Sequence, residues 1–152
     1  MRRHTPVIAL LFGVAGALVA APSAAVDPVN ATLFGVAIDG YDPVAYFSES
    51  RPVEGSKQFT TDWMGARWRF VNADNRERFL AEPERYAPQY GGYCAYAVSQ
   101  GGTADIDPEA WAIVGDKLYL NLNPKIQERW QADRDRYIQL ANENWPGLRS
   151  DS

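Results

Sequence analysis

The chain has 152 residues, 46% of them hydrophobic and 22% charged, which is the size and composition of one globular domain. Its formal net charge of −4 argues against a nucleic-acid partner, because phosphate binding needs a basic surface. The only cysteine, Cys94, cannot form an intramolecular disulfide, and the only histidine, His4, lies in a segment that we expect to be removed.

Residues 1–25 have the organisation of an export signal. Two arginines near the start are followed by an apolar run too short for a membrane span, and then by small residues at Ser23 and Ala25. We therefore expect cleavage after Ala25, a soluble bacterial protein in the periplasm or secreted, and no stable membrane insertion after cleavage. An uncleaved N-terminal anchor is the alternative.

Without His4 the mature chain has no imidazole. This excludes Ser-His-Asp and Cys-His catalysis, histidine-ligated zinc or copper, and haem held by a proximal histidine. Other acid–base groups would need strongly shifted pKa values to act near neutral pH. The composition therefore favours a binding protein over an enzyme.

The mature chain begins with residues 26–32, which have the composition of a linker. Residues 33–38 are predicted to form a short strand ending near Asp39, and Asp42, which precedes a proline, predicts a turn.

A β-hairpin is predicted next, because residues 58–63 and 67–71 alternate in polarity on either side of Gly65. Asn72 can cap a following helix, which we expect to end before Pro83.

The second half repeats this order after a glycine-rich segment that contains Cys94. Residues 111–114 and 117–122 predict a second hairpin, and Pro124 suits the first turn of one long helix that ends before Pro146. A tail at residues 149–152 follows.

Two ten-residue segments, 77–86 and 128–137, lie 51 residues apart and share five identical positions. An internal repeat would explain this, with Phe79 and Trp130 in equivalent core positions. The alternative is that two amphipathic helices resemble each other by composition. We predict an α+β fold, a small single domain of two β-hairpin–helix units related by the repeat.

Several motifs in this order resemble the YHS domain family, in its exported bacterial branch. The resemblance covers residues 33–148 and implies a small α+β domain related to metal-handling cysteine modules. The motifs are Tyr-Asp-Pro-Val-Ala-Tyr-Phe at 41–47, Gly-Ala-Arg-Trp-Arg-Phe at 65–70, Arg-Phe-Leu-Ala-Glu-Pro-Glu-Arg-Tyr at 78–86, Tyr-Gly-Gly-Tyr-Cys-Ala-Tyr at 90–96 and Asn-Trp-Pro at 144–146.

This chain departs from the metal-handling members at the positions where, by the resemblance, they place cysteines. Those positions hold Ala45, Val71 and Asn75 here. The resemblance therefore supports the fold and argues against a thiolate metal site at these positions.

Cys94 remains the one soft ligand and the one candidate nucleophile in the mature chain. It is interpreted as a buried small hydrophobe, as a ligand or redox thiol, or as half of an intermolecular disulfide.

Neighbouring residues could complete a binding site. Asp42 and Asp107 both precede Pro-x-Ala-aromatic and would be equivalent in the repeat, so with Cys94 they form a candidate metal site for a thiophilic ion such as copper. Alternatively, each aspartate fixes a local turn. The candidate ligand-binding residues are Tyr90, Tyr93 and Tyr96.

Two functions remain open. One is an exported accessory protein that binds a metal ion or a small metal-containing ligand near Cys94. The other is a metal-free module that kept the YHS fold, lost the cysteine ligands, and binds a small molecule or a protein partner.

We predict that protein recovered from the periplasm of an export host begins at Val26, because Ser23 and Ala25 suit the small-residue subsites of a signal peptidase. N-terminal sequencing measures this. Full-length chain in the membrane pellet would show instead that the segment is kept as an anchor.

Overall fold

Two antiparallel β-hairpins, each followed by a pair of helices, dominate the structure, a computed structural model that describes residues 24–150. The predicted α+β class is confirmed. Within residues 24–150 no helix is both long and apolar enough to cross a membrane.

The elements are α1 (Pro43–Ser48), β1 (Ser56–Trp63), β2 (Ala66–Phe70), α2 (Ala73–Ala81), α3 (Pro83–Tyr86), α4 (Ala95–Ser99), β3 (Asp107–Val114), β4 (Lys117–Asn121), α5 (Pro124–Ala132) and α6 (Arg134–Leu148).

The predicted export signal lies outside the described residues except for its last two, and so do residues 151–152 of the predicted tail.

Both predicted hairpins are confirmed, and both turn through two residues with positive φ. These are Met64 and Gly65 (φ 49° and 77°) in the first hairpin and Gly115 and Asp116 (φ 56° and 60°) in the second. Such turns match the right-handed twist of the flanking strands, which explains why the local sequence is sufficient to specify them.

The strands of the two hairpins, and the helices α2 and α5 that follow them, begin and end 51 positions apart, as β1 at Ser56 and β3 at Asp107 show. Their helices begin alike, since Asn72 and Asn123 each accept a hydrogen bond from the backbone N–H three residues on. The internal repeat itself stays a prediction. If the two units are aligned by this repeat, Asp107 corresponds to Ser56 and not to Asp42, because Asp107 and Ser56 are each the first residue of a strand.

The strand predicted at residues 33–38 is wrong. The chain reverses at a turn in which the Gly35 N–H donates to the Thr32 carbonyl, and Ile38 and Asp39 have positive φ. This segment therefore forms two isolated bridges, Ala31 with Ala37 and Val36 with Arg67, and then a 3₁₀ turn at Ile38–Gly40.

The turn predicted at Asp42 is the start of a helix, α1. Asp42 is its N-cap, and the following proline occupies the first helical position, where its missing N–H is not needed.

The single long helix predicted from Pro124 is two helices, α5 and α6. Asp133 separates them because its non-helical backbone (φ −142°, ψ 50°) interrupts the helical hydrogen bonds. Pro146 does not end α6, which continues to Leu148.

Residues 26–32 pack against the domain. Val29 is buried, and the Asn30 side chain donates to the Gly92 carbonyl and to the Asp105 carboxylate. Val26 pairs with Arg149 at the other end of the described chain.

One hydrophobic core cluster spans both units, and another lies around Trp130. Leu118 and Leu120 of β4 pack in the same cluster as Trp68 and Phe79 of the first unit. Tyr46 of α1 also crosses between the units, since its hydroxyl donates to the Pro108 carbonyl at 3.0 Å and its ring meets the edge of Trp111.

Phe79→Ala and Trp130→Ala should each lower the free energy of unfolding by about 3–5 kcal/mol, because each removes a large, fully buried aromatic side chain. Trp130→Phe should cost less, because it keeps a ring and removes an indole N–H that has no hydrogen-bond partner within residues 24–150. Urea unfolding followed by circular dichroism measures all three.

The matched control is Leu80→Ala, beside Phe79 but half exposed, which should cost about 1 kcal/mol or less. A cost below about 0.5 kcal/mol for either alanine variant would contradict the core role of that residue.

Candidate functional site

The Asp42 carboxylate lies at the centre of the first unit and is fully buried. Its Oδ1 accepts from the N–H groups of Val44 and Ala45 at 2.8 and 3.2 Å. Its Oδ2 accepts from the Val71 N–H at 2.9 Å and from the Asn75 side-chain amide at 2.8 Å. Four donors, from α1, from the residue after β2 and from α2, therefore meet on one carboxylate.

Burial raises the pKa of Asp42 above its ordinary value, because the charged form loses its hydration. The hydrogen bonds from Asn75, Val71, Val44 and Ala45 act in the opposite direction. The four protein donors hold the carboxylate in place, so Asp42 connects α1, the end of β2 and α2.

Three of the residues that donate to Asp42 are those that, by the resemblance drawn from the sequence, stand at the cysteine positions of metal-handling YHS members. Ala45 and Val71 contribute backbone N–H groups, and Asn75 contributes its side chain. The sequence order of the motifs did not require these positions to meet. Here they meet as hydrogen-bond donors, which suit a carboxylate and do not suit a thiophilic cation.

Cys94 lies directly before the short helix α4, as Asp42 lies before α1, but its side chain does not cap that helix. The thiol is 1% exposed, and its Sγ lies 3.6 Å from Oδ1 of Asn121, which also accepts from the Tyr96 N–H at 3.0 Å. The Asn121 amide donates to Gln127, which in turn donates to the Trp111 carbonyl. This environment favours the interpretation of Cys94 as a small buried side chain.

The predicted metal set of Cys94, Asp42 and Asp107 is not brought together. Asp42 is enclosed by its own donors, and Asp107 accepts from the Glu109 N–H at the start of β3. Across residues 24–150 no three His, Cys, Asp or Glu side chains are grouped so that they could hold a metal ion. The positions of these residues give no support to the thiophilic-ion site predicted from the sequence.

The three candidate tyrosines face different surroundings. Tyr90 is buried, with a pKa raised by burial and a hydroxyl that donates to Oδ1 of Asn142 at 3.0 Å. Tyr93 packs against Trp145, with ring centroids 5.9 Å apart. Tyr96 lies elsewhere, with its ring meeting the edge of Tyr137. Only Tyr90 of the three lines the groove described next.

A groove of about 480 Å³ lies between the first hairpin turn and the end of α6. Trp63, Met64 and Trp145 form apolar walls, and a smaller hollow of about 80 Å³ adjoins it along the same three side chains. Glu84 gives it one negative group, and Lys117 and Arg149 give it two positive groups. This volume and mixture are usual for a small-molecule site.

Sequence reasoning missed Trp63, Met64 and Lys117 as site residues. All three lie at hairpin turns, and their only local signal is a large apolar or charged residue beside a tight turn. The groove exists because the two hairpins and α6 pack side by side, which no single motif specifies.

The chain matches no protein-family model, no curated protein and no solved structure.

Asp42→Asn should lower the free energy of unfolding by about 1–3 kcal/mol, because an amide in place of Oδ2 would set N–H against the Val71 N–H. Asp107→Asn makes the same chemical change where the only side-chain hydrogen bond, from the Glu109 N–H, can be kept. It should change the free energy by about 0.5 kcal/mol or less. Urea unfolding at constant pH measures the free energy of unfolding of both variants. Equal stability of Asp42→Asn and wild type would contradict the structural role of the Asp42 hydrogen bonds.

Proposed function

We propose that the protein is an exported, metal-free YHS-like module that binds a small, largely apolar molecule in the groove between Trp63 and Trp145. The metal-free part of this proposal rests on the Asp42 carboxylate. Its oxygens already accept hydrogen bonds from the residues at the three positions where metal-handling members have cysteines. A site already filled by internal hydrogen bonds has no room or ligand chemistry for a thiophilic ion.

The state of Cys94 supports the same choice. A ligand or redox thiol must be reachable and substantially ionised, whereas this thiol is enclosed and lies against Asn121. Metal binding near Cys94 therefore has no geometric support, and the alternative function becomes the better one.

The groove supports the binding part of the proposal. Its indole and thioether walls offer flat apolar contact, and Lys117 provides a cation at one side. Trp145 is held in place by rings of Tyr90 and Tyr93, so the wall is built before a ligand arrives. A pre-formed wall lowers the entropy cost of binding.

The metal part is tested with mature protein that carries no histidine tag. We expect no Cu(I) uptake in competition with a chromophoric Cu(I) chelator, for wild type and for Cys94→Ser alike. A thiol reagent should label Cys94 only after denaturation, because the side chain is 1% exposed. Binding of one Cu(I) per chain that Cys94→Ser abolishes would overturn the proposal. The variant should stay folded, since a serine hydroxyl can donate to Asn121 as the thiol does.

The groove is tested with anilinonaphthalene sulfonate, a flat apolar anion that becomes fluorescent on binding. We expect saturable binding to the native protein, weakened on the order of tenfold in Trp145→Ala, in line with the loss of a large apolar contact. Lys117→Gln should weaken it severalfold, and Lys125→Gln, an exposed lysine of α5 outside the groove, should not.

Because this probe also binds partly unfolded proteins, each variant must keep a cooperative thermal transition. Equal binding by wild type, Trp145→Ala and Lys117→Gln would contradict the groove as the binding site.

A further inference from the structure

A tight turn at residues 32–35 presents two large apolar side chains to solvent. Leu33 is 96% exposed and Phe34 is 89% exposed, more than any other large hydrophobic residue of the described chain. Exposed leucine and phenylalanine side by side are unusual, because together they leave an apolar patch in water.

This turn is rigidly held. The Gly35 N–H donates to the Thr32 carbonyl at 2.8 Å, and the Thr32 N–H donates to the Val36 carbonyl at 2.9 Å. Hydrogen bonds from the Arg67 N–H to Gly35 and from the Ala37 N–H to Arg67 fasten the turn to β2. The exposure of Leu33 and Phe34 is therefore imposed by a bonded backbone and is not the result of a loose loop.

Cationic side chains lie beside the two apolar ones. Lys57 of β1 and Arg69 of β2 line a hollow together with Leu33 and Phe34, and neither cation forms an ion pair within residues 24–150. Asp39 is the one acidic residue of that hollow. On the side of the turn that faces this hollow, two cations therefore lie beside one carboxylate, whereas Asp27 lies with Leu33 on the other side.

We propose that the 32–35 turn is a wedge that attaches the protein reversibly to an anionic lipid surface. Leu33 and Phe34 would enter the headgroup boundary, and Lys57 and Arg69 would face lipid phosphates. Apolar insertion next to basic side chains is the combination by which peripheral proteins bind such membranes. This is contact with a surface and needs no membrane-spanning helix.

A protein partner fits the same turn less well. Two side chains would bury roughly 300–400 Å², whereas a stable protein interface needs about 800 Å² on each partner. The remaining residues of the hollow are charged or polar apart from Val36, which is buried, so they do not extend the exposed apolar patch to that size. A lipid surface accepts a small convex wedge without a shaped counterpart.

The proposal is tested by sedimentation with vesicles of phosphatidylcholine alone or mixed with phosphatidylglycerol, using protein recovered from the periplasm. Wild type should sediment with the anionic vesicles, and Phe34→Ser should reduce the partition coefficient on the order of tenfold, as expected for loss of a buried aromatic side chain. Leu122→Ser, which changes a 40% exposed leucine far along the chain, is the matched control and should bind as wild type. Any N-terminal apolar segment that is retained is common to all variants and cannot produce this difference.

Lys57→Gln and Arg69→Gln should weaken binding to the anionic vesicles severalfold, and added salt should do the same. Failure of wild type to sediment, or equal binding by wild type and Phe34→Ser, would overturn the proposal. Equal binding to both vesicle types, unaffected by Lys57→Gln, would overturn the anionic-lipid assignment. A change in oligomeric state on Phe34→Ser, without vesicle binding by wild type, would show that the turn contacts a second copy of this chain instead.

Discussion

The buried carboxylate of Asp42 is the contact on which the arrangement of the first unit depends. A buried charge is costly unless its acceptor positions are all used, and here four protein donors use them. Two donors lie within three residues, but Val71 and Asn75 are 29 and 33 positions away. Satisfying one side chain therefore sets where α1 lies relative to the hairpin and to α2.

The second unit meets the same requirement with neutral groups. Asn121 accepts from the backbone of α4 and from Cys94, and its amide continues the network to Gln127. A thiol, an amide and a backbone N–H can be buried together at lower cost than a charge, because none must be ionised. Both polar centres are thus used for structure, and they contain Asp42 and Cys94, two of the three residues that the sequence first suggested for metal binding.

Two surface features, the groove and the 32–35 turn, are the candidates for function. Each exposes apolar side chains for a single physical reason. The groove is apolar because Trp63 and Trp145 are held partly outside the core by neighbouring rings. The 32–35 turn is apolar because its backbone hydrogen bonds point Leu33 and Phe34 away from the core. In both cases apolar area stays in water although the fold is otherwise well packed, and this is usual where a protein meets a ligand or a lipid surface.

Local chemistry allowed the sequence by itself to determine both hairpins, the helix cap at Asn72, and the lack of thiolates at positions 45, 71 and 75. Turn residues, caps and residue types act over two to four positions, so they can be read along the chain. Segments that depend on distant partners were predicted wrongly, as at residues 33–38, where bridges replace a strand. Only the tertiary structure decided that Asp42 gathers donors from three elements, that Cys94 is enclosed, and that Trp63 and Trp145 face each other across a groove. Each of these depends on contacts between residues far apart in sequence, and such contacts leave no periodic or local pattern to read.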